Sequence, residues 1–277
     1  MKSNMVPIFV ATALLAGCAA SPGGVAAAGR TSEPTAMNIV YWSDFACPYC
    51  YIGVTRMEKA IAAVAPAGGI SLEMRAFELD PSAPVACEGD TTTRFARKYG
   101  LSAEGAAARI GEISSLGRAE GIDFRYATTR YTSTFDAHRL AAWARSLGDA
   151  AKARGLETAL YAAYFTENRE LSGRATLLAA AEKAGLDRAA AETVLADGES
   201  FASDVRADER EAARLGVHGV PFFLVAGRYA IPGAMPQDAL EAALRRALAE
   251  AAAPAGAAGE GEASSCGPDG CHWEPRK

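Results

Sequence analysis

The residues best equipped for chemistry in this chain are two cysteines separated by two positions, in Cys47-Pro48-Tyr49-Cys50. A cysteine attacks and departs as the thiolate, and a free thiol with a pKa of about 8.5 is only slightly ionised at neutral pH. Placing the pair at the start of a helix helps. The first turn carries backbone N–H groups without intrahelical partners and the positive end of the helix dipole, worth about 0.3–2 kcal/mol to an anion there. The short spacing leaves both sulfurs at that turn, close enough to bridge. Pro48 suits the first helical position because its ring fixes φ and its missing N–H would have had no partner. Such a pair supports thiol–disulfide exchange, with Cys47 as the attacking or attacked sulfur and Cys50 as the more buried thiol that resolves the mixed disulfide. The same spacing also occurs in half a zinc site or in a structural disulfide. Zinc takes about four ligands, and the other Cys/His group, Cys266, Cys271 and His272, stands at the far end of the chain. No metal site is therefore expected, and the redox-active Cys47–Cys50 disulfide would take the place of a cofactor.

The elements around the pair give it context. Asn38 to Trp42 is a short β-rich run leading directly into the cysteines. Val54, Met57, Ile61 and Val64 then recur at helical spacing until Gly68-Gly69. From Ile70 to Ala76 the pattern alternates, with Ile70, Leu72, Met74 and Ala76 on one side and Ser71, Glu73 and Arg75 on the other, as in a half-buried strand. From about Pro81 to Gly216 no strand is evident, and helices are expected over 91–99, 103–119, 134–147, 150–167, 174–184, 188–197 and 200–214. Leu140, Trp143 and Leu147 form one stripe, ended by Gly148; Leu156, Leu160 and Tyr164 form another; Asp187 is placed as an N-cap. Strand character returns at Phe222-Phe223-Leu224-Val225, Ala226-Gly227-Arg228 turns the chain, and Tyr229-Ala230-Ile231 pairs back. Pro236 suits the first position of a last helix lined by Leu240, Leu244 and Leu248. The expected fold is α/β: a thioredoxin-like domain (37–80 plus 215–250) split by an all-helical insertion (81–214), with 251–277 a flexible tail. In such a fold Pro221 faces the cysteines. A cis Val220–Pro221 bond would hold the Val220 backbone beside Cys47, ready to pair with an extended substrate, whereas a trans proline would simply open a strand.

The first 36 residues differ in kind. Lys2 precedes an apolar run, Val6 to Ala16, too short to cross a bilayer but suited to a signal peptide. It ends in Leu15-Ala16-Gly17-Cys18, which resembles a bacterial lipobox and implies lipidation of Cys18, with a flexible tether to residue 36. The chain would then be a cell-envelope lipoprotein facing the periplasm or exterior, touching the membrane only through that anchor. Translation starting at Met37 would instead leave a cytoplasmic protein. With 28 basic and 33 acidic residues, a net charge of −5 and no basic cluster, nothing marks a nucleic-acid partner.

Three stretches in order, Ser43-Asp44-Phe45-Ala46-Cys47-Pro48-Tyr49-Cys50-Tyr51-Ile52-Gly53, Phe135-Asp136-Ala137-His138-Arg139-Leu140 and Gly216-Val217-His218-Gly219-Val220-Pro221-Phe222-Phe223, resemble the DsbA family in its FrnE-like branch. The resemblance spans about Met37 to Leu248. It implies disulfide oxidoreductase activity on protein thiols or disulfides, with glutathione as a further partner. It carries the nucleophile onto Cys47, the resolving thiol onto Cys50 and the cis-proline onto Pro221, with Val220, Pro48 and Tyr49 lining the substrate site. Tyr49 stands where that branch commonly has Trp. The wider superfamily includes kappa-class glutathione transferases and 2-hydroxychromene-2-carboxylate isomerase. These carry Ser at the position of Cys47, so the pair here argues against them. A thiol-independent holdase that binds unfolded chains in the cleft is a third reading.

The remaining candidates are weaker. Cys266 and Cys271 form a C-x4-C that would serve as an auxiliary redox pair, a peripheral disulfide or, with His272, a metal ligand set. Cys87 reads as a passive loop thiol and His138 as a packed, hydrogen-bonded histidine. His218 is near enough to Pro221 in sequence to tune the thiolate, and Asp44 would shuttle a proton or cap a turn.

Overall fold

The computed structural model describes residues 37–65, 69–252 and the residue pair 271–272. Residues 1–36, with Cys18, and Cys266 in the C-terminal stretch lie outside the described residues. β1 (Met37–Ser43) runs into α1 (Pro48–Val64), and β2 (Ile70–Ala76) follows, parallel to β1. The next elements are helical: α2 (Thr91–Tyr99), α3 (Ala103–Ala119), a 3-10 turn at Tyr126–Thr128, α4 (Phe135–Ser146), α5 (Ala150–Phe165), α6 (Arg174–Lys183), α7 (Arg188–Ala196) and α8 (Ala202–Arg214). The chain then returns to the sheet as the hairpin β3 (Phe222–Val225) and β4 (Tyr229–Pro232) before α9 (Gln237–Ala252). Asp187 caps α7 by accepting the Ala190 N–H at 2.7 Å. Pro236 stands just before α9 rather than at its first position, its carbonyl accepting the Leu240 N–H at 3.1 Å.

Strand order is β2-β1-β3-β4-β5, with β1 antiparallel to β3. The two-residue β5 (Cys271–His272) pairs antiparallel with β4, opposite Ala230 and Tyr229. Composition alone placed these residues in a flexible tail; a low-complexity stretch gives no sign that two of its residues will find an edge strand.

Period-2 alternation sends the two faces of β1 and β3 into different cores. Ile39, Tyr41, Phe223 and Val225 belong to the main core, which continues through α1, α4, α5 and α9. Val40, Trp42, Phe222 and Leu224 join Ala212, Leu215 and Val217 at the end of α8. The Trp42 indole N–H donates to the Asp208 carbonyl at 2.9 Å, and the buried Asp208 carboxylate takes Arg75, Arg145 and the Ala76 N–H. β1 is thus central and covered on both sides, and its C-terminal end is where the cysteines emerge.

Candidate active site

Cys47 is the N-cap of α1, with φ −87° and ψ 116°, and Pro48 opens the helix. Cys47 and Cys50 are free thiols, 4% and 0% exposed. The Val220–Pro221 peptide bond is cis, and the Cys47 thiol donates to the Val220 carbonyl oxygen at 3.6 Å. Packing holds this contact. A Cβ on Gly53, one turn along α1, would lie 2.8 Å from Pro221 Cγ and 3.2 Å from Ala234, so only glycine lets the helix approach the proline loop this closely. Pro48 is buried, and Tyr49 and Val220 are half-buried.

Cys50 is differently placed. Burial pushes its thiol well above the ordinary range, and the hydrogen bond and charge of Cys47 act the same way; the Ser43 hydroxyl and the Asp44 backbone pull it down without cancelling the rise. The Ser43 hydroxyl is in turn 2.5 Å from the Tyr161 hydroxyl of α5. Tyr161 lies against Phe45 and stacks on Tyr51, with ring centres 5.1 and 5.0 Å apart. One turn earlier on α5, the buried Glu157 accepts the Tyr41 hydroxyl at 2.6 Å and pairs with Arg154, which also holds Glu58 at 2.6 Å. Burial raises the carboxyl of Glu157 despite Arg154.

Asp44 organises the turn between β1 and α1. Its carbonyl accepts the Cys47 N–H at 3.0 Å, and its carboxylate accepts the Ala46 N–H at 3.1 Å and the Leu79 N–H at 2.7 Å. Burial would raise this carboxyl, but the His138 ring and the two amides outweigh it and hold it below the usual carboxylate value. His138 is 1% exposed and packs 4.9 Å from the Phe45 ring. Its Nε2 is 3.7 Å from Asp44 Oδ1, and neither ring nitrogen makes a hydrogen bond. It is therefore packed as the sequence suggests but not hydrogen-bonded: β1 and α4 bring the imidazole to ion-pair range and no nearer.

With this geometry in view, residues 38–245 match the family model of the DSBA-like thioredoxin domain. The chain belongs to the DsbA-like thioredoxin family. A probable DsbA oxidoreductase from Streptomyces coelicolor is 39% identical, with a TM-score of 0.73 over 85% of this chain and 98% of that one. The cytosolic disulfide reductase DsbM from Pseudomonas aeruginosa, in a structure with GSH, is 19% identical, with a TM-score of 0.53 over 76% and 99% of the two chains. A 2-hydroxychromene-2-carboxylate isomerase is 17% identical, with a TM-score of 0.55 over 78% and 98%. The last two are likenesses of fold. No curated protein matches the chain.

Neither His218 nor Cys87 hydrogen-bonds Cys47 or Cys50 among the described residues of this DsbA-like chain. His218 is exposed. Cys87 is half-buried, its thiol donating to the Gly89 carbonyl at 3.7 Å. The Cys271 backbone sits on β5, with β4 and β3 between it and β1, about 14 Å across the sheet at ordinary strand spacing. No group of three or more His, Cys, Asp and Glu side chains able to hold a metal occurs among the described residues, and no described helix is long and apolar enough to cross a membrane. Sequence reasoning passed over Ser43 as a site residue, although it stands four positions before Cys47, and it missed Tyr161. Tyr161 comes from α5, 118 positions beyond Ser43, and nothing in its own neighbourhood marks it.

Proposed function

We propose that this chain is a thiol–disulfide oxidoreductase that exchanges disulfides with protein substrates through Cys47 and Cys50. The observation that carries this reading is the Cys47 thiol resting on the Val220 carbonyl next to Pro221, with Cys50 buried against it. Cys47 is the sulfur that meets the substrate, since Cys50 is fully enclosed. The Val220 backbone offers an extended substrate a strand-like partner, so the reacting sulfur and the docking edge lie side by side. Tyr49 and Pro48 flank the contact. In the oxidising direction a substrate thiolate attacks Cys47, and a second substrate thiol resolves the mixed disulfide; in the reducing direction Cys47 attacks and Cys50 resolves. Glutathione is the small-thiol partner we assign, supported by the DsbM relative whose structure includes it. The thioredoxin-like part is 37–80 with 215–250, and 81–214 forms the helical insertion.

The test is mixed-disulfide trapping. Replacing Cys50 by Ala should leave substrate proteins covalently attached to Cys47, and the wild type should catalyse insulin reduction. Inert thiols in the insulin assay, together with no trapped partner, would overturn the reading. We further propose that the chain is an envelope lipoprotein acylated at Cys18, from the apolar run and lipobox-like Leu15-Ala16-Gly17-Cys18. A reporter fused after Arg30 should be exported, and its retention in the cytosol would refute this.

A further inference from the structure

We propose that Arg56 is a positioning residue that holds the Val220–Pro221 edge in place beside Cys47 for a protein substrate, and that Glu120, which ends α3, orients it. The inference rests on the disulfide-exchange reading above and deepens it: Arg56 serves the docking of an extended chain, not the reactivity of the sulfur.

Exchange with a protein needs two things held in register, the Cys47 sulfur and a backbone edge along which the substrate lies. The sulfur is fixed by α1, of which Cys47 is the N-cap. The edge is fixed differently. Val220 and Pro221 directly precede β3, and the Val220 carbonyl meets the Cys47 thiol at 3.6 Å. The Pro221 carbonyl accepts the Gly233 N–H at 2.8 Å, one step beyond the pairing of Phe222 with Pro232. The segment after β4 therefore carries the proline turn with it. If that segment were loose, the edge would have to be ordered each time a substrate bound, and the cost would be taken from affinity.

Arg56 ties that segment back to α1. It follows Gly53 by three positions, so the two are neighbours on the helix surface. At Gly53 packing sets the nearest approach, since a Cβ there would already meet Pro221 Cγ at 2.8 Å and Ala234 at 3.2 Å. At Arg56 a hydrogen bond sets the farthest, with Nη1 donating to the Ala234 carbonyl at 2.9 Å. The same guanidinium donates through Nε to Glu120 Oε1 at 2.6 Å. Glu120 is itself held from α1, because Lys59 Nζ donates to its Oε2 at 2.7 Å and to its carbonyl at 3.0 Å. The Arg56 and Glu120 side chains are 15% and 13% exposed, so salt screens this pair less than an open surface pair. A planar guanidinium offers several donors at fixed angles, which suits one group that must serve two acceptors on different elements; an ammonium on a flexible stem suits it poorly. The end of α3, α1 and the segment after β4 thus meet at one side chain, and through it α3 helps to set the docking edge.

The experiment measures insulin reduction by the full-length protein, with insulin varied at fixed dithiothreitol, beside the rate at which iodoacetamide alkylates Cys47 in the reduced protein. Arg56→Met keeps the apolar stem and removes the donors; it should raise the KM for insulin by about 10-fold, the scale of one hydrogen bond from a charged group, with kcat little changed. Arg56→Lys should raise KM by a smaller factor, and it carries the test if near-ultraviolet circular dichroism shows that Arg56→Met does not fold. Cys47 alkylation should keep its wild-type rate in both, since α1 and not the edge places the sulfur. A wild-type KM in either folded variant, or a fall in kcat and in Cys47 alkylation that matches the rise in KM, would overturn the inference and leave the exchange reading standing. A wild-type protein that does not reduce insulin would overturn the exchange reading itself.

Discussion

Asp44→Asn is the substitution that probes the turn between β1 and α1 most directly. The Asp44 side chain is 3% exposed and its two oxygens serve two backbone donors, Ala46 N–H at 3.1 Å and Leu79 N–H at 2.7 Å, with His138 Nε2 at 3.7 Å. Asparagine keeps the shape but replaces one acceptor oxygen by an NH2 group, which must face one of those two N–H groups. One partly buried backbone donor is then left without an acceptor, and the other bond loses its charge. Together these cost about 2–4 kcal/mol. With a urea slope of about 3 kcal/mol/M, the unfolding midpoint should fall by about 1 M. The pH dependence follows from the direction of the shift. The folded-state carboxyl is held below its ordinary value, so its stabilisation is complete above the unfolded value of about 3.9 and is lost as the pH falls through the folded one. The gap between wild type and variant should be widest above about pH 5 and should close below about pH 4. A midpoint within about 0.2 M of wild type, or a gap that widens toward acid, would refute this account of the turn.

Two further substitutions test the scaffold. Gly53→Ala would set a methyl 2.8 Å from Pro221 Cγ; overpacking of this kind costs about 1–3 kcal/mol, so thermal denaturation should show a lower Tm and the insulin assay a slower rate, and an unchanged Tm would contradict the close approach of α1 to Pro221. Asp208→Ala would leave Arg75, Arg145 and the Ala76 N–H without their shared acceptor, at a cost of about 3–5 kcal/mol. Guanidinium unfolding followed by tryptophan fluorescence should detect that loss through the buried Trp42, and stability within about 0.5 kcal/mol of wild type would show that the cluster carries no net stabilisation.

The elements that local pattern controls were legible. β2 alternates residue by residue over Ile70–Ala76 and forms over that span. α2 and α3 begin after side chains that accept first-turn amides, Asp90 and Ser102, and α7 begins after Asp187. The Cys47-Pro48-Tyr49-Cys50 spacing placed the thiol pair at the start of a helix because a proline at the first position and an apolar stripe downstream are properties of the segment itself. Where the sequence reading stopped short, the reason was distance along the chain. Tyr161 and Glu157 belong to a helix far from the cysteines, and only the packing of α5 against β1 brings them to Ser43 and Tyr41. His138 reads as a packed histidine from its apolar neighbours, yet that its ring faces Asp44 at 3.7 Å, with both nitrogens unbonded, depends on the relative placement of α4 and the β1–α1 turn.

By itself, then, the sequence determined that the cysteine pair stands at the start of a helix and which segments become strand or helix, because spacing, capping and alternation are written within a few residues of one another. The tertiary structure alone decided which groups enclose Cys50, what the Asp44 carboxylate binds and how closely Pro221 approaches α1. Those are contacts between segments that share no local signal, and burial, which sets their strength, exists only once the segments have packed.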